Sequence, residues 1–176
     1  LCYIKCPYTK DDDASELLDF PRLMLREKAN HAKRHGVALV DRVLGEPELI
    51  GQLGSGRMAP AGQLIQANRL LRKVQEKLTG ISAEFELPPL ATQTAANWWE
   101  THLSPVGAGD AGEVALFATC YGNYNTPEVV RSAVAVLEHA GYRILLVSDG
   151  CCGMPNLDGG DVSRAREKIE RGVASL

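Results

Sequence analysis

Five cysteines carry the chemistry that this sequence could perform, and they fall into two groups. The first group is Cys2 and Cys6, and the second is Cys120 with the adjacent pair Cys151 and Cys152. Thiolates are soft ligands that select zinc, copper(I) or iron–sulfur clusters. Grouped thiols of this kind favour metal binding in a reducing compartment over a framework of disulfides.

A strand–helix–strand pattern positions the second group of cysteines. An apolar run over 113–120 ends in the Cys120 thiol, and a second β-rich run covers 142–148. Between them, Thr126 and Pro127 are typical of a helix start and Gly141 of a helix end. The residues that recur there at helical spacing are Val129, Val130, Ala133, Val136 and Leu137. These signals predict a right-handed βαβ unit with parallel strands.

Parallel strands end at the same edge of a sheet, so Cys120 and the Cys151–Cys152 pair are expected to lie close together there. Adjacent cysteines make a poor disulfide, because a trans peptide fixes their Cα atoms about 3.8 Å apart and an unstrained bridge needs roughly 4.4–6.8 Å. Simple burial of three small residues is the alternative interpretation.

Cys120 followed by Cys151-Cys152-Gly153-Met154-Pro155 resembles the first half of a cysteine-rich CCG domain. That domain occurs in a subunit of heterodisulfide reductase and in the iron–sulfur subunits of anaerobic glycerol-3-phosphate dehydrogenase and glycolate oxidase. The family pattern continues with a Cys-x-x-Cys-like element that would lie beyond the last residue, so we expect this sequence to be a fragment. The resemblance implies that Cys120, Cys151 and Cys152 are ligands of a CCG-type cluster, which the backbone approaches at Gly153.

The first group of cysteines matches the end of a second motif. Cys2-Tyr3-Ile4-Lys5-Cys6-Pro7 corresponds to the last part of the ferredoxin pattern C-x₂-C-x₂-C-x₃-C-P. In two-cluster ferredoxins the cysteine before proline serves the other cluster, so Cys2 and Cys6 would be ligands of different [4Fe–4S] centres. The iron–sulfur subunits that the sequence resembles place such a ferredoxin domain just upstream of the CCG domain.

The predicted fold class is α/β with a helical N-terminal part and a βαβα parallel-sheet unit. We expect a ferredoxin-motif remnant over 1–10, a helical region over 14–80, a linker over 81–112 and half of a CCG domain over 113–176. Within these regions the glycines of 51–56 are interpreted as a linker, and one helix is predicted from Pro60 to about Leu78.

Two further expectations concern packing. Trp98 and Trp99 are expected to pin the linker across a neighbouring domain, because their area is too large to leave in water. A last helix should start after Asp161 and run to about Ser175. Its apolar residues are expected to cover one face of the sheet; they are Val162, Ala165, Ile169 and Val173.

Composition excludes several other functions. The sequence has 176 residues, of which 45% are hydrophobic and 23% charged, with a net charge of −3. Such values are typical of a soluble globular protein; they give no basic excess for nucleic acid, and no apolar run is long enough to span a membrane. The resemblance to these iron–sulfur subunits implies a different function, which is electron transfer from a flavoprotein dehydrogenase subunit through [4Fe–4S] clusters to a quinone, cytochrome or disulfide acceptor. The expected location is cytoplasmic, at most peripheral to the inner face of the membrane through a partner.

Two alternatives remain open from the residues. A flavodoxin-like module would bind FMN or a nucleotide phosphate at the turn over 119–126, between the first strand and the helix. That alternative gives no account of Cys151 and Cys152. A structural zinc site would use the same three thiols.

Overall fold

The computed structural model describes residues 19–106, 109–148 and 150–175. The helices there are α1 Phe20–His35, α2 Leu39–Leu44, α3 Pro47–Gly54, α4 Ala59–Ala67, α5 Arg69–Thr79, α6 Ala95–Trp99, α7 Cys120–Tyr124, α8 Pro127–His139, α9 Met154–Asp158 and α10 Val162–Ala174, with a 3₁₀ turn at Gly56–Met58. Two strands complete these elements, β1 Gly112–Phe117 and β2 Tyr142–Val147. Cys2 and Cys6, with the ferredoxin-like motif, lie outside the described residues.

The chain divides into two compact units. One contains the described residues up to Gly45 together with Gly153–Glu167. In it, α9 packs against α1 and α2, and Lys28 Nζ forms an ion pair with Asp158 Oδ1 at 2.8 Å. The other unit contains Glu46–Cys152 and Lys168–Leu176, and it includes the sheet and all three cysteines of the second group.

The strands β1 and β2 pair in parallel, with Gly112 opposite Tyr142 and Phe117 opposite Val147. The predicted βαβ unit is thereby confirmed, with α8 as its crossover helix. Pro127 begins α8, and Gly141 follows it at φ +87°, a conformation that favours glycine. Thr126 stands at the N-cap position as predicted, but its side chain makes no capping hydrogen bond.

One face of the sheet carries the core of this unit. Leu116 and Leu146 pack against a buried cluster of Ala95, Ala118 and Val130. The opposite face carries the exposed ion pair of Glu113 with Arg143 and the exposed side chain of Leu145. The two faces therefore differ: the first is covered, and the opposite face is exposed at Glu113, Arg143 and Leu145 but buried at Val147.

Helix α8 packs on β2 through Val130 and Val134. Ala133 and Leu137 are half-buried, as the predicted stripe requires, but Val129 and Val136 are exposed. The stripe continues instead into a charged residue, Glu138, which is 8% exposed. Its carboxylate pairs with the ring nitrogen Nε2 of His102 at 2.9 Å, so the polar end of the stripe is buried with a partner.

Helix α10 begins as predicted, because the Asp161 carboxylate accepts a hydrogen bond from the Arg164 N–H at 3.1 Å. The predicted apolar face is wrong, however. Its members Val162, Ile169 and Val173 are exposed, and only Ala165 is buried. The buried positions of the helix are Ala165, Lys168 and Gly172, because a paired lysine and a close backbone approach determine which side faces inward.

Two predictions for the helical region are also wrong. Residues 51–56 are not a linker, because Gly51 is buried within α3 and a side chain there would overlap the ring of Tyr124. The helix expected from Pro60 to Leu78 is two helices, α4 and α5, which break at Asn68. The Asn68 side chain accepts hydrogen bonds from the N–H groups of Leu70 and Leu71, and this cap restarts the helix.

The segment 81–112 contains the short helix α6, which the sequence did not predict. Trp98 and Trp99 end this helix and both pack around the ring of His102, with ring centroids 4.6 and 5.1 Å from it. The Arg131 guanidinium lies over Trp98 at 5.5 Å. The tryptophans thus fix the segment inside the unit that contains the sheet.

None of the helices in the described ranges is both long enough and apolar enough to cross a membrane.

Candidate functional site

Cys120 lies at the first position of α7, two residues beyond the buried Ala118. The sequence placed this cysteine at the end of a strand, but β1 ends at Phe117 and Cys120 opens a short helix instead. The Thr119 hydroxyl oxygen caps that helix by accepting the Gly122 N–H at 3.1 Å. This cap fixes the direction in which the chain carries Cys120 away from the sheet.

Helix α7 is held in place by the segment that precedes β1. The Ala91 N–H donates to the Tyr124 carbonyl at 2.7 Å, and the Ala96 N–H donates to Asn123 Oδ1 at 2.9 Å. In the other direction, the Asn125 side chain donates to the Pro89 carbonyl at 3.0 Å. Sequence reasoning missed these asparagines. Their only signal was two asparagines within three residues of one another, close behind a candidate ligand.

Cys151 and Cys152 follow β2 in a segment without regular secondary structure. Cys151 is 2% exposed, whereas the next side chain, Cys152, is exposed. Adjacent residues in an extended chain point in opposite directions, and this pair does so. The buried thiol therefore faces the protein and its neighbour faces solvent.

The three thiols nevertheless form one group, and the predicted convergence is observed. Cys120 makes a side-chain hydrogen bond with Cys151, and it lies within electrostatic range of Cys152. Burial, followed by the proximity of Cys151 and then Cys152, raises the pKa of Cys120 to about 11, against a small lowering by the Tyr121 N–H. Cys120 is therefore protonated at neutral pH.

Gly153 adopts φ +73°, the left-handed conformation that glycine tolerates best. A β-carbon at this position would lie 2.6 Å from the Ala165 carbonyl oxygen. No larger residue fits there without moving the backbone of α10. Gly153 thus places a turn directly after the cysteine pair, and glycine is required for it.

A second group of residues near Cys151 was not predicted. A cavity of about 230 Å³ is lined by Glu48, Gly150, Cys151, Lys168, Arg171 and Ser175. Lys168 is 2% exposed, and its ammonium pairs with Glu46 Oε2 at 2.8 Å. Lys168 lies outside the apolar stripe predicted for α10, so the sequence pattern gave no signal of its burial.

Three thiols at one strand edge are the donor set that iron–sulfur clusters and zinc take, so the residues fit such a group in kind. Within the described residues, no three His, Cys, Asp or Glu side chains are already spaced around a common metal position. Cys120 and Cys151 instead contact each other while Cys152 faces outward. The arrangement gathers candidate ligands, and a bound group would have to separate the half-buried Cys120 sulfur from the buried Cys151 sulfur.

Residues 114–175 match the sequence profile of the cysteine-rich domain family CCG. The chain is 27% identical over 135 residues to a subunit of the anaerobic glycerol-3-phosphate dehydrogenase of Escherichia coli K12, which is 76% of this chain and 34% of that protein. The same values hold for the corresponding subunit of E. coli O157:H7. The chain spans about a third of the length of these curated relatives, and no solved structure matches it. The resemblance that the cysteine pattern indicated is confirmed.

Proposed function

We propose that this chain is part of an iron–sulfur subunit of an oxidoreductase and that Cys120, Cys151 and Cys152 bind a cluster. The observation that carries the proposal is the convergence of the three thiols, with Cys120 hydrogen-bonded to Cys151 and close to Cys152. The CCG profile covers all three residues. The relative's name, which is that of a dehydrogenase subunit, supports a place in an oxidoreductase complex.

The positions of the three thiols and of the Tyr121 N–H indicate a role for each of them in binding a cluster. The Cys151 and Cys120 thiols would supply ligands on the buried side, and the exposed Cys152 would supply one on the solvent side. Binding a cation requires loss of the protons from these thiols, because thiolate rather than thiol is the ligand. The Tyr121 N–H, which already bonds to the Cys120 sulfur, would remain to stabilise charge on it.

When bound, an iron–sulfur cluster accepts one electron and releases one electron. We propose that electrons come from a flavoprotein partner, one at a time, and leave to a quinone, a cytochrome or a disulfide. The clusters are proposed to be of the [4Fe–4S] kind, with Cys2 and Cys6 as ligands of ferredoxin-type centres. We propose a cytoplasmic location, with contact to the membrane only through a partner.

Metal analysis of the protein purified without oxygen tests the cluster. We expect iron and acid-labile sulfide in the wild type, and a loss of iron in Cys120→Ser, Cys151→Ser and Cys152→Ser. Met154→Ser is the matched control, since it removes an exposed sulfur atom two residues from Cys152 and is not a thiol. Zinc without iron would favour the structural zinc site, and a bound flavin would favour the flavodoxin-like module; either result refutes the proposal.

A glycine pair tests whether the turn serves the cluster. Gly153 and Gly160 both have positive φ, and a β-carbon on either would lie 2.6 Å from a backbone carbonyl oxygen. We expect Gly153→Val to lower iron at the CCG-type site about as much as Cys152→Ser does, with less loss in Gly160→Val. Cluster-resolved EPR should show ferredoxin-type centres unchanged in both. Equal loss of iron in the two valine variants would mean that the effect is general misfolding.

A further inference from the structure

A buried ion pair lies beside the cysteine group. The Lys168 side chain is 2% exposed, and its Nζ lies 2.8 Å from Glu46 Oε2, whose side chain is 24% exposed. Taking a lysine out of water is costly, and buried lysines are retained where they have a charged partner. The pair therefore fixes a positive charge at a defined place in the interior of this unit.

Lys168 is the member of the pair that shares a cavity with Cys151. Lys168 and Cys151 line the same cavity of about 230 Å³, whereas Glu46 is not among its lining residues. Within the part of the chain that the structure describes, the other charged residues that line it are Arg171 and Glu48. Among the described residues that line the cavity, Lys168 is the buried cation.

Two glycines lie where α10 approaches the cysteine segment. A β-carbon on Gly150 would lie 3.3 Å from the Gly172 Cα, and one on Gly172 would lie 3.9 Å from the Cys151 carbonyl oxygen. The absence of a side chain on Gly150 lets the last turns of α10 approach the cysteine segment closely, whereas a β-carbon on Gly172 would meet only an ordinary contact. Lys168 stands one helical turn before Gly172, and its side chain lines the same cavity as Cys151.

We propose that Lys168 is a positioning residue that raises the reduction potential of a cluster held through Cys151. This inference rests on the proposed function. Reduction adds one negative charge, and a fixed positive charge in a site of low dielectric stabilises the reduced form more than the oxidised form. Glu46 opposes that effect from the far side of the pair and keeps the lysine in place.

Redox titration followed by EPR tests the sign of each charge. We expect Lys168→Met to lower the midpoint potential of the CCG-type cluster, with about a tenfold change in the reduced-to-oxidised ratio, or about 59 mV for one electron. Glu46→Gln should raise the potential, because it removes the opposing charge. A structural role would destabilise both variants alike, and it gives no reason for shifts of opposite sign.

Three controls complete the design. Lys168→Arg keeps the charge and should keep the wild-type potential. Arg143→Gln removes an equal charge from the exposed sheet face and should leave the potential unmoved, since that charge lies in water. If Lys168→Met alone does not retain a cluster, the double variant Lys168→Met with Glu46→Leu takes its place. This variant replaces the ion pair by apolar groups, which buried sites tolerate. The midpoint potential of the double variant should lie below that of the wild type.

The outcomes separate the two proposals. A wild type with thiolate-bound iron, but with both single variants shifted the same way or not at all, overturns the role of Lys168 and leaves the proposed function standing. An unchanged potential in the double variant overturns it as well. A wild type without iron refutes the proposed function and, with it, the inference about Lys168.

Discussion

Helices α8 and α10 each have 13 residues and each belong to the same α/β region, yet they are buried in different ways. Helix α8 is packed through side-chain volume, with Val130 and Val134 against the sheet side of its unit. Helix α10 buries Ala165, Lys168 and Gly172 and leaves its larger apolar residues exposed. The difference shows that an apolar stripe determines the inward face only where no paired charge or close backbone contact competes with it.

The largest expected effect on stability distinguishes the buried face of α8 from the exposed apolar face of α10. Val134→Asp should prevent stable folding, because it would bury an unpaired carboxylate at a position that is fully covered. The free energy of unfolding should fall by about 4 kcal/mol or more, which exceeds what most domains can lose and still fold. Val173→Asp on α10 should change the free energy of unfolding by less than about 0.5 kcal/mol, since Val173 is 65% exposed. Urea unfolding of both variants measures this, and similar losses would show that α10 is buried on its apolar side.

The next largest effect concerns Lys168, the buried charged residue of α10. Lys168→Ala should lower the free energy of unfolding by about 3 kcal/mol, because it leaves Glu46 partly buried without its ammonium partner. Ile169→Ala, one residue along, should cost less than about 1 kcal/mol, because that side chain is 46% exposed. A larger loss from Ile169→Ala than from Lys168→Ala in chemical denaturation would contradict the burial described for this helix.

The thiols that precede the two helices, Cys120 before α8 and Cys152 before α10, should also differ in reactivity. In metal-free protein, we expect iodoacetamide to modify the exposed Cys152 about tenfold faster at pH 8 than Cys120, a barrier difference of about 1.4 kcal/mol. The pKa of Cys120 is raised to about 11, so its rate should keep rising from pH 9 to 11. Because the thiol deprotonates more readily when unfolded, its contribution to stability is complete below pH 9 and is lost as the pH rises through 11. Mass spectrometry of the modified peptides measures the rates, and equal rates at pH 8 would refute this order.

The smallest effect concerns the glycines where α10 approaches the cysteine segment. Gly150→Ala should cost about 1 kcal/mol, because Gly150 has φ +112° and its β-carbon would crowd Gly172. Gly172→Ala should stabilise by up to about 1 kcal/mol, because its β-carbon meets only an ordinary contact at 3.9 Å. Thermal unfolding of the two variants should therefore shift in opposite directions, and destabilisation by both would mean that the helix lies closer to the segment than described.

Local signals predicted the βαβ unit well. Pro127 and Gly141 mark the ends of α8 through their own backbone preferences, and the parallel pairing of β1 and β2 follows from the length of the crossover. The convergence of Cys120 with Cys151 follows from that topology, so the centre of the candidate site was predictable. The identification of its ligands remains a prediction.

The rest depends on contacts between residues far apart in the sequence. Burial of Lys168 requires Glu46, and burial of Gly51 requires the ring of Tyr124; neither partner is visible in a local pattern. The break between α4 and α5 at Asn68 has a local cause instead, because a single side-chain cap outweighed a continuous apolar stripe. Sequence periodicity describes the helices as isolated elements, and tertiary contacts choose their faces.

The hydrogen bonds that join residues 89–96 to α7 have a consequence for local unfolding. The Ala91 and Ala96 N–H groups donate to acceptors on Tyr124 and Asn123, so neither can exchange with solvent until the contact with the Cys120 helix opens. Opening units in native proteins are cooperative, and these two amides should therefore exchange deuterium with a common protection factor. Although Ala91 lies outside any helix or strand, its exchange would report how often the helix that carries Cys120 moves away from its place.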